Sequence, residues 1–312
     1  MTRTFWMAAV ISLLAVGCGG TGPGGSASYP LTPVGSVDLE QPVEDLDFMG
    51  DNGDIVAVCG SRICFVDAEL AYLLADVHTG SEALSQVEST ADGGYAIAGG
   101  YGKLYKVSNQ TYLLRDSVAF AAVEELTAHD YTGQMWVHAS DGAVVTLDVE
   151  TMLPVDSVYP GGYSVDCALY GADVAALYRG GSGGIQRLSL PGLSVSSETG
   201  LPAAPVDLGL LGGYLFAAMG EGGLRALSAY SLATQKDYGL SSCGAVDVIT
   251  GASVLMAGTQ YGIAAMDAQS GSVLGQYSAG SQVETLAVSA DGARCAAVFA
   301  TQPSVVVVFG TQ

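Results

Sequence analysis

Six carboxylates in this chain follow the first valine of a repeated segment: Val43-Glu44, Val123-Glu124, Val165-Asp166, Val206-Asp207, Val246-Asp247 and Val283-Glu284. Leu84-Ser85 takes the corresponding place in a seventh segment. Recurrence about every 40 residues puts these acids at one position of a repeat, so a closed repeat gathers them into a ring. Like charges held that close raise one another's pKa unless something neutralises them. Three roles suit such a ring. Oxygen-only ligands fit a hard cation such as calcium. A concentrated negative mouth attracts a basic peptide or a polyamine. An acid at a strand start can also accept main-chain N–H bonds, a staple repeated because its unit is repeated.

Other chemistry is sparse. Cys59 and Cys64 bracket "GSRI". If Ser61-Arg62 is a two-residue turn, the two cysteines oppose each other on paired strands within disulfide reach; otherwise they are reduced apolar side chains. Cys167, Cys243 and Cys295 have no partner evident in the sequence. Three histidines occur, and HExxH, CxxC, GxSxG and P-loop motifs are absent. "DNGD" at 51–54 lacks the further acids of an EF-hand and reads as a plain turn. No catalytic residue is assigned.

The elements that must position the acids are strands. Turn glycines fall at Gly53, Gly93, Gly133, Gly171, Gly212, Gly251 and Gly292, and a second series at Gly60, Gly102, Gly142, Gly184, Gly223 and Gly262. Each member of the second series precedes a short β-rich run such as "ICFVD", "LYKVS" or "VVTLD". One unit reads in full as "AVEELTAHDYTG", "QMWVHASD", "GAVVTLDVE" and "TMLPVDSVYP", four strands from the innermost outward. Seven such units predict an all-β, seven-bladed β-propeller of four-stranded antiparallel blades over residues 31–312. The last unit, from Val283 to the end, holds only three strands. "YPLTPVGSVDLE" near the N-terminus is the expected fourth, closing the ring through main-chain hydrogen bonds.

Composition narrows the function classes. The chain is 49% hydrophobic and 13% charged, with 43 glycines and a formal net charge of -21. That excludes a disordered chain, and the lack of any basic run excludes nucleic acid as a partner. At the N-terminus, "MTRTFWMAAVISLLAVGCGG" sets Arg3 before an apolar stretch from Phe5 to Val16. That stretch is too short for a bilayer core, which a helix crosses with ~20 residues, so it reads as an export signal. "LLAVGC" resembles the lipobox of bacterial lipoproteins, which implies lipidation of Cys18 and attachment to a membrane. The expected organisation is a signal at 1–17, the lipidated Cys18 with a Gly/Ser tether at 18–30, and the propeller from 31. The implied location is the cell envelope, at the outer membrane or cell surface.

"SADGARCAAVF" and "TADGGYAIAGG" resemble the hairpins of bacterial YVTN and LVIVD-type propeller repeats, distant relatives of WD-repeat propellers. The resemblance spans about residues 31–312 and implies fold more than activity. The expectation is an envelope-anchored scaffold whose partner is an envelope protein or a cationic ligand, with calcium as the candidate ion. The alternative expectation is a metal-dependent hydrolase or lactonase-like propeller enzyme using some of the ring acids.

Overall fold

β3 (Asp54–Cys59, DIVAVC) and β4 (Arg62–Asp67, RICFVD) are buried along almost their whole length. Runs of this kind lose the apolar–polar alternation of half-exposed strands because both faces of the sheet are covered. The strand farthest from the axis behaves differently: β9 (Leu114–Ala119, LRDSVA) is exposed at nearly every position. The computed structural model describes residues 28–50, 53–80, 82–90, 92–129, 133–159, 166–170, 176–181, 183–189 and 194–311, with backbone alone at 129, 166–170 and 176–181. The proposed signal, Cys18 and most of the tether lie outside the described residues, as do Asp51, Asn52 and Gly171.

The described residues form an all-β propeller of four-stranded antiparallel blades. Twenty-eight strands, numbered β1 to β28 in chain order, make seven four-stranded sheets. The innermost strands are β2 (Asp45–Met49), β6 (Leu84–Ser89), β10 (Val123–His129), β14 (Asp166–Tyr170), β18 (Asp207–Leu211), β22 (Ala245–Ile249) and β26 (Val283–Val288). Each packs against the next in that order, and β26 packs back against β2. The unit read in full from sequence lies at Val123–His129, Gln134–Ala139, Val144–Asp148 and Leu153–Val158.

Six sheets use consecutive strands. The exception joins the two ends of the chain: β1 (Thr32–Asp38) pairs antiparallel with β28 (Gln302–Gly310), outside β27 (Arg294–Phe299) and β26. Ser36 faces Val307 and Val37 faces Val306. Apolar clusters fill the spaces between sheets. In one, Leu46, Ile55 and Ala57 meet Ala296, Val298 and Val306 of the closing sheet. In another, Phe216 and Ala218 meet Leu255, Ala257 and Met266. Each fully buried Val, Leu or Phe contributes about 1.5–3 kcal/mol, so every blade depends on both neighbours.

The turns explain the glycine spacing. Gly53, Gly93, Gly133, Gly212 and Gly292 have φ between 59° and 70°. In the sixth unit the left-handed residue is Ser253 (φ 52°), while Gly251 lies in a 3-10 turn at Thr250–Ala252, so that unit's marker sits two residues later than the glycine pattern places it. Gly262 illustrates the second series: φ is 146°, and a Cβ would stand 2.0 Å from the Tyr277 carbonyl oxygen. Only glycine fits that approach.

A basic side chain links three pairs of neighbouring sheets at larger radius. Buried Lys106 donates from Nζ to the carbonyls of Val149 (2.8 Å) and Glu150 (3.1 Å) and lies 4.1 Å from the Tyr95 ring centroid. Arg187 donates to the Tyr230 carbonyl at 2.7 Å, and Lys236 to the carbonyls of Gln269 and Ser270.

Because β1 supplies the outer strand of the closing sheet, a chain lacking residues 1–38 leaves the β28 edge unpaired. The expected outcome is a lower Tm and self-association through that edge, read by thermal melting and light scattering. A truncated chain that melts like the full one and stays monomeric would contradict this role for β1.

Candidate functional site: the axial carboxyl ring

Strand register corrects the expected ring. Pairing with the second strand of each sheet puts Asp45, Gln86, Glu125, Asp166, Asp207, Ala245 and Thr285 at one level, opposite Val58, Gly99, His138, Gly180, Ala218, Gly258 and Val298. Two residues on, Asp47, Glu88, Thr127, Ala168, Gly209, Asp247 and Ala287 form a second level. The six valine-following acids therefore occupy three positions. Asp166 and Asp207 belong to the first level and Asp247 to the second. Glu44, Glu124 and Glu284 precede both. Register shifts between Val123/Glu125 and Val283/Thr285 leave Glu124 and Glu284 as inserted residues, with Ser85 likewise between Leu84/Gln86. An inserted residue of this kind moves the frame in some units and not in others. Without any shift, Glu44 precedes β2, and Val206 precedes β18 whereas Val246 lies inside β22.

The innermost strands enclose a cavity of about 380 Å³ on the axis, lined by Glu44, Asp45, Asp47, Glu88, Glu125, Thr127, Asp207, Asp247 and Glu284, among others. Glu124 is not among its lining residues, and the side chain of Asp166 is outside the described residues. Glu44 and Glu284 are exposed. Asp45, Asp47, Glu88 and Glu125 are missed by taking one acid after the first valine of each segment, although Glu88 follows a later valine, Val87, and period two in "VEDLDF" puts both aspartates on one side of a strand.

The carboxyls do one thing repeatedly. Asp45 accepts from its own neighbour, Leu46 N–H (2.9 Å), and from Val87 N–H of the next sheet (2.9 Å). Asp47 does the same with Phe48 (2.7 Å) and Ser89 (2.8 Å). Asp247 accepts from Val248 (2.6 Å) and from Val288 (2.7 Å) across the sheet boundary. Glu88 reaches Ala128 N–H at 3.0 Å, and Asp207 reaches Val246 N–H at 2.6 Å. Glu125 accepts from Leu126 at 3.1 Å. In each cross-sheet bond the donor sits one position beyond the acceptor's level. These N–H groups lie on the edge of an innermost strand, where no further strand can take them.

Electrostatics follow from the burial. It pushes Asp45 up to about 8, with the charges of Asp47 and Asp207 adding to the rise and the two N–H bonds opposing it. Asp247 is pushed up to about 7, again chiefly by burial and further by Asp207 and Asp47. Burial also raises Asp47, and it raises Glu88 and Glu125 well above the usual carboxylate range, with neighbouring acids contributing to both. Asp45 is therefore mostly protonated at neutrality and Asp247 partly so, and the ring acts as a set of hydrogen-bond acceptors. Among the described residues, no group of three or more His, Cys, Asp or Glu is disposed to hold a metal ion. Both oxygens of Asp45, Asp47 and Asp247 already accept main-chain N–H groups.

The cysteines also depart from expectation. The turn residues are Gly60 and Ser61, so Cys59 pairs with Arg62 and Cys64 with Ala57. The two cysteines are thus diagonal rather than opposed, both thiols are free and buried, and their Sγ atoms are 3.2 Å apart. Cys243 and Cys295 are buried free thiols, and the side chain of Cys167 is outside the described residues.

The raised pKa values carry a sign. A carboxyl whose folded value lies above its unfolded value of about 4 stabilises the fold in acid, and that contribution is lost as pH rises through the folded value. Tm is therefore expected to fall between pH 5 and pH 9. Asp247→Asn should flatten that slope because the amide cannot ionise. It should also lower Tm at pH 5, since its NH2 faces one of the two N–H donors, a loss of about 1–3 kcal/mol. Melting curves across the range check both, and a wild-type Tm that climbs with pH would refute the assignment.

No protein-family model and no curated protein matches the sequence. Solved structures do match it. WD40 repeats of RRP9 align with a TM-score of 0.77 at 12% identity, covering 92% of this chain and 100% of that one. U3-55K aligns with a TM-score of 0.75 at 12% identity, covering 90% and 99%. The WD40 domain of Pan2 from Neurospora crassa aligns with a TM-score of 0.78 at 12% identity, covering 93% and 98%. The chain is thus similar to WD40 propellers over nearly its whole length, and the likeness is one of fold.

Proposed function

We propose that this chain is a seven-bladed, envelope-anchored propeller that works as a protein-interaction scaffold, docking a basic segment of an envelope protein on one end of the ring. The observation that carries this reading is the composition of that end. Tyr101, Tyr159 and Tyr261 are 71%, 68% and 63% exposed. Tyr101 and Tyr261 sit at turns between second and third strands, and Tyr159 follows an outer strand. The antiparallel order puts all three at the end where the innermost strands begin, with exposed Glu44 and Glu284 at the cavity mouth. Exposed tyrosine gives large, rigid contact area with a polar tip, and acids beside it select a cationic partner. The formal charge of -21 adds long-range attraction for such a partner. The "SADGARCAAVF" and "TADGGYAIAGG" hairpins support a bacterial YVTN-type reading, and the "LLAVGC" segment supports a lipid on Cys18 at the outer membrane or cell surface.

Calorimetry with an Arg/Lys-rich peptide as probe tests the surface. The full-length protein is expected to bind it in a salt-dependent way. Tyr101→Ala combined with Tyr261→Ala, and separately Glu44→Gln combined with Glu284→Gln, should each weaken binding about tenfold or more. Unchanged affinity in both double variants would move the site elsewhere, and an unmodified protein that ignores the peptide would remove the reading. For the anchor, Cys18→Ser should shift the protein from the membrane to the soluble fraction of cells; a variant that still sediments with membranes would overturn lipidation.

A further inference from the structure

The geometry points to Cys59 and Cys64 as a redox pair, and we propose that they close into a buried cross-strand disulfide by exchange with an external disulfide. The sulfurs already touch at 3.2 Å. A disulfide needs about 2.05 Å, an approach of roughly 1 Å. Register puts the two side chains on one face of the β3–β4 hairpin, and both belong to the same apolar cluster, with Leu39, Val43 and Val306. Neither sulfur has to cross the sheet.

Arg62 is the second observation. Its guanidinium donates to the Leu39 carbonyl and stands 3.5 Å from Asp76, yet its buried Nε has no partner. A buried orphan donor beside two thiols suits a thiolate. The pair is polarised accordingly: the Cys64 thiol, and then Arg62, hold Cys59 down to about 7 against the opposing effect of burial, whereas Cys64 is raised. Burial instead pushes Cys243 up to about 12 and raises Cys295 strongly, as expected of inert thiols.

The step balances with a small-molecule disulfide, RSSR, as oxidant. The Cys59 thiolate attacks one sulfur of RSSR; the S–S bond breaks, RS⁻ leaves, and Cys59 carries a mixed disulfide. Cys64 then gives up its proton and attacks Cys59 Sγ, expelling the second RS⁻. Two protein thiols are oxidised and one external disulfide is reduced to two thiols. Both sulfurs are fully buried, so exchange takes place as the Leu39–Val43 segment seats during folding, and the closed bond is shielded from reductant. The inference does not depend on the scaffold reading or on export, because its test reads thiols alone.

The experiment refolds the reduced full-length protein in oxidised glutathione, alkylates after denaturation, and maps the peptides by mass. The expected product has Cys59 and Cys64 joined, two hydrogens lighter and unalkylated, with Cys243 and Cys295 alkylated. Cys64→Ser should trap glutathione on Cys59, and Cys59→Ser should leave Cys64 free. The rate of closure should rise with a midpoint near pH 7, and Arg62→Lys should hold that midpoint while Arg62→Met shifts it upward. If Arg62→Met does not fold, the wild-type pH profile and the two serine variants still decide. A folded product in which both cysteines are alkylated would overturn the proposal, and glutathione trapped on Cys64 instead of Cys59 would overturn the assigned roles.

Discussion

The unpaired N–H row on the innermost strand of each sheet is the constraint from which the axial chemistry follows. A sheet stacked around an axis cannot add a fifth strand on that side, because the axis is there. Each outward N–H must then find another acceptor, or the fold loses about 1–3 kcal/mol for every one left buried and unmet. Val87, Ser89, Ala128, Val246 and Val288 find theirs in carboxyls of the preceding sheet. One side chain therefore satisfies an edge and ties two blades together. It also explains why so many acids crowd a place where their charges repel: they are present as acceptors, and burial shifts them toward the neutral form.

Farther from the axis the same problem is met with the sign reversed. Lys106, Arg187 and Lys236 extend from one sheet to the turn carbonyls of the next. Those turns end in a left-handed residue, Met152, Leu232 or Gly271, whose N–H closes on the carbonyl four residues back. Between the axial acceptors and these outer donors lies the apolar filling, which has no directional preference of its own. Polar links at two radii set the angle between the sheets they join, and the apolar surface supplies most of the stabilisation. Residues 32–38 extend this nearest-neighbour arrangement around the circle, because their sheet otherwise has three strands.

Much of this was legible in the sequence, and the legible part has a common cause. Gly53, Gly93, Gly60 and Gly262 mark positive φ, a local requirement that a single residue type satisfies, so their spacing survives in the linear chain. The closing strand was legible as a count: three strands at one end and one spare at the other. The acids were legible only as a class. Asp207 and Asp247 were found, but the valine–acid dipeptide confused three positions, because Glu124 and Glu284 are inserted at register shifts and Val246 lies inside β22 where Val206 precedes β18. Asp45 and Glu88 escaped because one acid was taken after the first valine of each inner segment, while the partners that give these two their role, Val87 N–H and Ala128 N–H, lie about 40 residues away on another sheet. The cysteine pair was seen, but a turn placed one residue too late made it appear directly opposed.

The axial cavity and the exposed mouth therefore have different electrostatic characters, although both are lined by acids. Inside, carboxyl oxygens accept main-chain donors, and burial favours the neutral form of Asp45, Asp47, Glu88, Glu125 and Asp247, which weakens the interior's pull on a visitor. At the rim, Glu44 and Glu284 are exposed and stand before the first ring level. The basic partner proposed above would meet the exposed side chains of Glu44 and Glu284 at the rim first. Entering the channel would require it to displace protons and to compete with N–H bonds that hold neighbouring blades together. Contact at the surface leaves those bonds intact. That asymmetry favours a partner that rests on the mouth over one that threads the channel, and it lets a single set of acids hold the ring closed while another is left free to bind.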